Sequence, residues 1–346
     1  MSTLSREELG RLIISEGFDV WGITGVQKAP HRNAFLSWLE AGKHAEMQWL
    51  ARQPEQRTDP RQLLEGASSV IVLAINYLGH ESKPAPNGLT SGRIARYARG
   101  RDYHNSLRKR LRRISRRLDE AGGRQRLFID SGPLLERDLA VLAGIGWHGK
   151  NTMVLNRRQG TWLLLAEILT TLPFPSDTPQ RERCGTCTRC LDACPTQAFD
   201  APYQLDARKC IAYWTIEHRG SIPEQYRSLI GDRIFGCDEC LQVCPWNRFA
   251  VASHDPDFAT RPASCLPLQQ YLEMDEQQFL DTFAGSPIRR ARWQGFLRNV
   301  CIALGNVGTI SDIPSLEATL SLPDPVVREH AAWAIERIHT RLSGTS

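Results

Sequence analysis

Cys184, Cys187, Cys190 and Cys194, the last followed by Pro195, are separated by two, two and three residues. That is the spacing of bacterial ferredoxins, in which three thiolates wrap one cubane and the fourth leads to a second. A partner run, Cys237, Cys240 and Cys244 before Pro245, lacks a leading cysteine, and Cys210 lies between the runs to supply one. Two [4Fe–4S] clusters are therefore expected. The crossed ligand pattern puts Cys184, Cys187, Cys190 and Cys244 on one, and Cys194, Cys210, Cys237 and Cys240 on the other. Zinc usually takes separated pairs, often with histidine, and disulfides belong to exported chains. Neither suits three cysteines crowded between 184 and 190 ahead of a Cys-Pro. Cys265 and Cys301 are left over and read as ordinary buried thiols, Cys265 being a poorer eighth ligand than Cys210.

A two-cluster module moves single electrons, so an accepting centre is expected elsewhere in the chain. Asp130 is the carboxylate of interest, at the end of an expected strand beside Ser131-Gly132-Pro133. If desolvated there, it could donate a proton at neutral pH. Capping the helix expected from Leu134 is the competing use of Asp130 or Ser131. Gly144-Ile145-Gly146-Trp147-His148-Gly149 spells a dinucleotide fingerprint by letter count. It follows an expected helix rather than a strand, so a Rossmann site is not expected. Asp102-Tyr103-His104 resembles the start of a cobalamin-ligating motif, but position 107 is Leu where that motif has Gly. His104 then reads as a surface or cap residue. Trp147 and His148 could line a cavity, with core packing the plainer use of the tryptophan.

The elements that must position these residues are legible in outline. Ser5 and Glu8 form a capping box for a first helix ending near Gly17, with Leu4 and Leu9 as its staple. Strands are expected at 19–24, 70–75 and 126–129, with another buried apolar segment at 162–169. The stretch from Pro84 to Gly92 reads as loop. A basic helix runs to about Leu118, and another helix over 134–143. The chain is thus expected to be α+β, with an N-terminal α/β layered domain over 1–174. A ferredoxin-like two-cluster module follows over 175–250, then a polar connection over 251–285. The last part, 286–346, is expected to be an α-helical HEAT-like domain, with a helix at 291–304. Ala331 and Ala334 allow close stacking, while Asp324 and Arg328 tie the repeat.

With 346 residues, 41% hydrophobic and 23% charged, the composition is that of a globular protein. No apolar signal core opens the chain, and no run reaches the roughly 20 residues of a membrane span. A reducing cytoplasm and no membrane partner are expected. The net charge of +5 is modest, but arginine and lysine concentrate at 93–117 and 288–298. Such patches allow a polyanionic partner, or simply a solvated helix face.

Taken in order, several segments resemble bacterial epoxyqueuosine reductases over nearly the whole length. They are Gln56-Arg57-Thr58-Asp59-Pro60, Gly100-Arg101-Asp102-Tyr103-His104, Ile129-Asp130-Ser131-Gly132-Pro133, Gly144 to Asn151, both cysteine runs and the terminal repeat. The resemblance implies the last step of queuosine synthesis, in which epoxyqueuosine at the wobble position of tRNA loses its epoxide oxygen. It also implies cobalamin, bound without a protein histidine on cobalt and fed by the two clusters, with Asp130 as proton donor. Corrin contacts would fall on Arg57, Ala95, Arg96, Asp130, Arg137, Lys150, Asn151, Thr152, Met153 and Val154. For the tRNA, Arg289, Arg290, Arg292 and Arg298 are the candidates. A monomer and a separate electron donor are expected. Two other readings fit the same residues: a reductive-dehalogenase-like cobalamin enzyme with a small substrate, or a non-catalytic electron-transfer or cobalamin-handling protein.

Overall fold

The computed structural model describes residues 4–79 and 89–343. Of the expected loop at Pro84 to Gly92, residues 84–88 lie outside the described residues. The strand Ser69–Asn76 is the centre of the N-terminal half, buried at every position. It pairs with Val20–Gly25 on one side and Leu163–Thr170 on the other, and Gln125–Phe128 closes the sheet. Every pairing is antiparallel, which corrects the α/β reading of this layer to α+β. Alternating strands and helices specify an order of elements, but not the direction in which each strand runs.

Period two explains why so apolar a strand stays buried in an antiparallel sheet. Ile71, Leu73 and Ile75 face the first helix, Arg6–Ser15, and the basic helix, Tyr103–Glu120. Val70, Val72 and Ala74 face Leu139, Ala140 and Ala143 on and just after the helix Glu136–Leu142. The basic helix stays soluble and packed at once because Leu107, Leu111, Ile114 and Leu118 return every three or four residues to one face. The Ser5–Glu8 capping box is present.

The chain does not continue as separate beads. Residues 211–235, between the cysteine runs, pack against the C-terminal helices Arg292–Val307 and Pro325–Ser343. Arg233–Phe235 pairs in parallel with Arg93–Ile94 of the N-terminal half. Residues 268–283, expected to be connection, form the short helices Leu268–Leu272 and Glu276–Thr282. Their Tyr271 and Phe279, with Phe283, join the C-terminal core. In the last helix pair, a Cβ at Gly305 would stand 2.5 Å from Trp333 and 3.0 Å from the Ala334 Cα. Among the described residues, no helix is long and apolar enough to cross a membrane.

Arg298 corrects the sequence reading. It is 1% exposed, and its guanidinium donates to the carbonyls of His218, Gly220 and Trp214 at 2.7–3.0 Å. Burial pushes it down to about 9. An arginine so enclosed joins the C-terminal helix to residues 214–220 and cannot reach RNA.

His330, also fully buried, does similar work. Its Nε2 accepts the Ile222 N–H at 3.2 Å while Nδ1 donates to the Val326 carbonyl at 2.7 Å. Both ring nitrogens are engaged in the neutral form, and burial pushes the group down to about 4 from 6.5. The unfolded chain therefore takes up a proton that the folded chain refuses. This contribution, up to about 3 kcal/mol, is complete above pH 6.5 and lost as the pH falls toward 4. The wild-type melting midpoint should drop more steeply over that range than that of His330→Gln, measured on the same cluster-loaded protein. Parallel curves would remove His330 from this role.

Candidate active site

Asp130 sits just beyond the strand Gln125–Phe128 with φ +55, in the left-handed region. The following helix begins only at Glu136 and has no side-chain cap, so the capping use of Asp130 is absent. Its carboxylate, 64% exposed, is held from one side. Tyr103 Oη donates to Oδ2 at 2.6 Å, and His104 Nε2 lies 3.7 Å from the same oxygen. Asp102 caps the basic helix by accepting the His104 backbone N–H, and its Oδ1 is 2.8 Å from the ring Nδ1. Thus His104 is more than a cap residue, because its second nitrogen faces Asp130. Arg57 braces the loop by donating to the Gly132 carbonyl at 3.1 Å.

Sequence reasoning missed the acids beneath. Glu167 is fully buried on the central sheet, with no hydrogen-bond partner for either carboxylate oxygen, and Glu136 Oε1 is buried without one. Burial, then the charge of Asp130, pushes the Glu136 carboxyl up to about 8; burial and Glu136 push Glu167 up as well. A glutamate inside the apolar run 162–169 was the available signal, since such a residue is almost never fully buried unpaired. Tyr103, quoted in a motif without a role, was the other omission. Burial first, then the Asp130 charge, raises its phenol, which keeps it a donor.

The segment Lys150 to Val154 is the turn of a small hairpin between Trp147–His148 and Val154–Leu155. Thr152 takes φ +66 at its tip, and its carbonyl accepts from Arg137 at 3.0 Å. The turn also touches both cysteine loops. Lys150 Nζ donates to the Gly185 carbonyl at 2.6 Å, and Asn151 Nδ2 to the Cys240 carbonyl at 3.0 Å. Ala95 and Arg96 are tied in likewise, through the Phe235 carbonyl at 2.8 Å and the Asp238 carboxylate at 2.7 Å. Gly236, at φ +70, makes that approach possible, because a Cβ there would stand 2.6 Å from Ala95 Cβ.

The cysteines gather in two sets. Cys184, Cys187, Cys190 and Cys244 line a cavity of about 240 Å³ together with Lys150 and Trp246. Burial first, then the sulfurs of Cys210, Cys237, Cys194 and Cys190, pushes the Cys240 thiol up. Burial, reinforced by neighbouring sulfurs, pushes the thiols of Cys237 and Cys244 up to about 12 and about 11. Thiols raised in this way are stabilised as thiolates by a cationic metal core. Among the described residues, no three cysteine sulfurs fall within 4.8 Å of one another. Of the remaining candidates, Arg289 and Arg292 are exposed, while Arg290 pairs with Glu217 at 2.8 Å and lies over Trp49. Cys301 is fully buried, as expected, whereas Cys265 is only half-buried.

Residues 183–247 match the family model described as a 4Fe-4S double cluster binding domain, and residues 57–131 match "Epoxyqueuosine reductase QueG, DUF1730". The epoxyqueuosine reductase of Xanthomonas campestris pv. campestris is 44% identical over 326 residues, covering 92% of each chain. That of Pseudomonas aeruginosa is 43% identical over 328 residues, covering 93% of this chain and 91% of the relative. Among solved structures, an epoxyqueuosine reductase with a tRNA-Tyr epoxyqueuosine-modified stem loop superposes with a TM-score of 0.91 at 32% identity, over 96% of this chain and 90% of that one. The Bacillus subtilis epoxyqueuosine reductase, with its catalytic loop swung out of the active site, gives 0.89 at 31% with the same coverage.

Cys244→Ser should halve the iron of reconstituted protein, from about eight to about four atoms per chain. Cys210→Ser should do the same to the other set, and the double variant should hold almost none. Loss of all iron in either single variant would contradict two separable sites.

Proposed function

The chain belongs to the epoxyqueuosine reductase family, and from that premise we propose that it reduces epoxyqueuosine in the anticodon loop of tRNA to queuosine. The observation that carries this reading is the single hairpin turn, 150–154, that reaches both cysteine loops and the Arg137 side of the Asp130 loop. The relatives at 43–44% identity set aside the dehalogenase and non-catalytic readings.

Cys184, Cys187, Cys190 and Cys244 would hold one [4Fe–4S] cluster, and Cys194, Cys210, Cys237 and Cys240 the other; these supply electrons one at a time at low potential. Arg57, Ala95, Arg96, Arg137 and the turn 150–154 would hold cobalamin. The residues fit such a group, whose rim carries amides that both donate and accept. Arg57 Nε and Glu136 Oε1 are buried polar atoms lacking partners, one a donor and one an acceptor. When bound, cobalamin supplies the strongly reducing metal that opens a strained epoxide.

Net reduction takes two electrons and two protons, and it returns an alkene and water. The protein's part is the proton. Tyr103 holds Asp130 Oδ2 by donating to it, which leaves Oδ1 to carry a proton to the epoxide oxygen as that oxygen gains charge. His104, its other face fixed by Asp102, stands where it can return a proton to Asp130 after a small approach. The exposure of Asp130 suits a site completed by its substrate. A base splayed from an RNA loop, together with the corrin, would exclude water there. Arg289 and Arg292, on the C-terminal helical layer of HEAT-like build, would hold phosphates, with Arg290 partly committed to Glu217.

Asp130→Asn should lower epoxide reduction by about a hundredfold to ten-thousandfold with the cluster spectrum intact; near-normal turnover would end the acid assignment. Charge reversal at Arg289 and Arg292 should weaken tRNA binding and make its salt dependence shallower, by about one unit of slope for each arginine that holds a phosphate. An unchanged slope would place the RNA elsewhere.

A further inference from the structure

We propose that His31, Asp138 and His148 form a binding site for a divalent cation of the zinc class, distinct from the cysteine sites. Among the described residues, these are the only three histidine, cysteine, aspartate or glutamate side chains whose ligand atoms all lie within 4.8 Å of one another. His31 Nδ1 is 2.7 Å and His148 Nε2 is 2.9 Å from the same oxygen, Asp138 Oδ1. Two imidazoles and one carboxylate form a donor set suited to zinc and its neighbours, and three protein ligands leave a fourth position for water.

The site is built rather than incidental. Asp138 is 4% exposed, and its second oxygen is occupied by the His31 backbone N–H at 3.0 Å, which fixes the carboxylate and leaves Oδ1 directed at the two rings. Each ligand comes from a different segment. His31 directly precedes the helix Arg32–Glu40, Asp138 is in the first turn of the helix Glu136–Leu142, and His148 ends the first strand of the 147–155 hairpin. The rings meet edge to face with centroids 4.8 Å apart, and the His31 side chain is 60% exposed, so an ion can enter from solvent. An ion about 2.1 Å from each ligand needs the ligand atoms about 3.3 Å apart. The present separations to Asp138 Oδ1 would open by roughly half an ångström, which takes a small rotation of each ring. Each ring must present a lone pair to the metal, so its proton moves to the other ring nitrogen, and binding weakens once the imidazoles are protonated.

The ion would add a tie among three segments that meet on the Asp138 carboxylate, two of which are already joined by the bond from Arg137 to the Thr152 carbonyl. Two of them carry Arg137 and the 150–154 turn, so zinc should stiffen that wall. Binding itself does not depend on the reaction the enzyme performs.

The test is zinc titration of the cluster-loaded protein against a chromophoric zinc chelator, with X-ray absorption at the zinc edge. One equivalent should be retained, bound through nitrogen and oxygen without sulfur, and it should raise the melting midpoint. His31→Ala and His148→Ala should each weaken retention at least tenfold and abolish the rise in midpoint, with iron and sulfide content unchanged. His31 is exposed, so its variant keeps the test meaningful should the His148 variant fold poorly. Absence of a retained equivalent, retention in both variants equal to that of the wild type, or sulfur bound to the zinc would overturn the proposal.

Discussion

Everything in this molecule depends on how two cysteine loops with little core of their own are held against the N-terminal half. Among the hydrogen bonds that hold them are Ala95 to Phe235, Arg96 to Asp238, Asn151 to Cys240 and Lys150 to Gly185. Each involves at least one main-chain group, and a main-chain group cannot drift far without moving its element. The parallel pairing of Arg93–Ile94 with Arg233–Phe235 fixes the register of the whole junction. Two of these four bonds come from the 150–154 turn, so the part of the site nearest the sulfurs is also the part that positions them.

Buried polar groups serve two purposes here. Arg298, Asn299 and His330 are enclosed and satisfied, and they join helices to loops with directional bonds that an apolar contact would not supply. Glu136 Oε1 and both carboxylate oxygens of Glu167 are enclosed and unsatisfied, and the charge of Asp130 acts on both acids. The first group specifies architecture. The second is the kind of strained electrostatics that collects at functional sites.

Legibility in the sequence followed the range of the interaction involved. Cysteine spacing is a local property of short loops, and both runs could be read directly. Asp130 was visible because a strand end beside Gly-Pro is also local. The capping box and the central strand were readable for the same reason. Arg298 was misread because its burial is created by residues 214–220, some eighty positions away in the chain. The stretch 268–283 looked like connection because its helices are short and expose polar faces, with only a few aromatics turned inward. Strand direction was invisible, since alternation carries no sign. The His31–Asp138–His148 cluster joins positions more than a hundred apart, and no spacing rule could have assembled it.

If the two runs share sulfurs in the crossed pattern, the order in which the chain is made matters. On the crossed arrangement, Cys184, Cys187 and Cys190 leave the ribosome with three ligands for a cubane whose fourth, Cys244, is still untranslated. Cys194 waits in the same way for Cys237 and Cys240. Neither inorganic core can be fully ligated until both runs have emerged, and the segment between them, 211–235, packs on helices translated later still. On that arrangement, completion of either cluster would be a late event in the biogenesis of the chain.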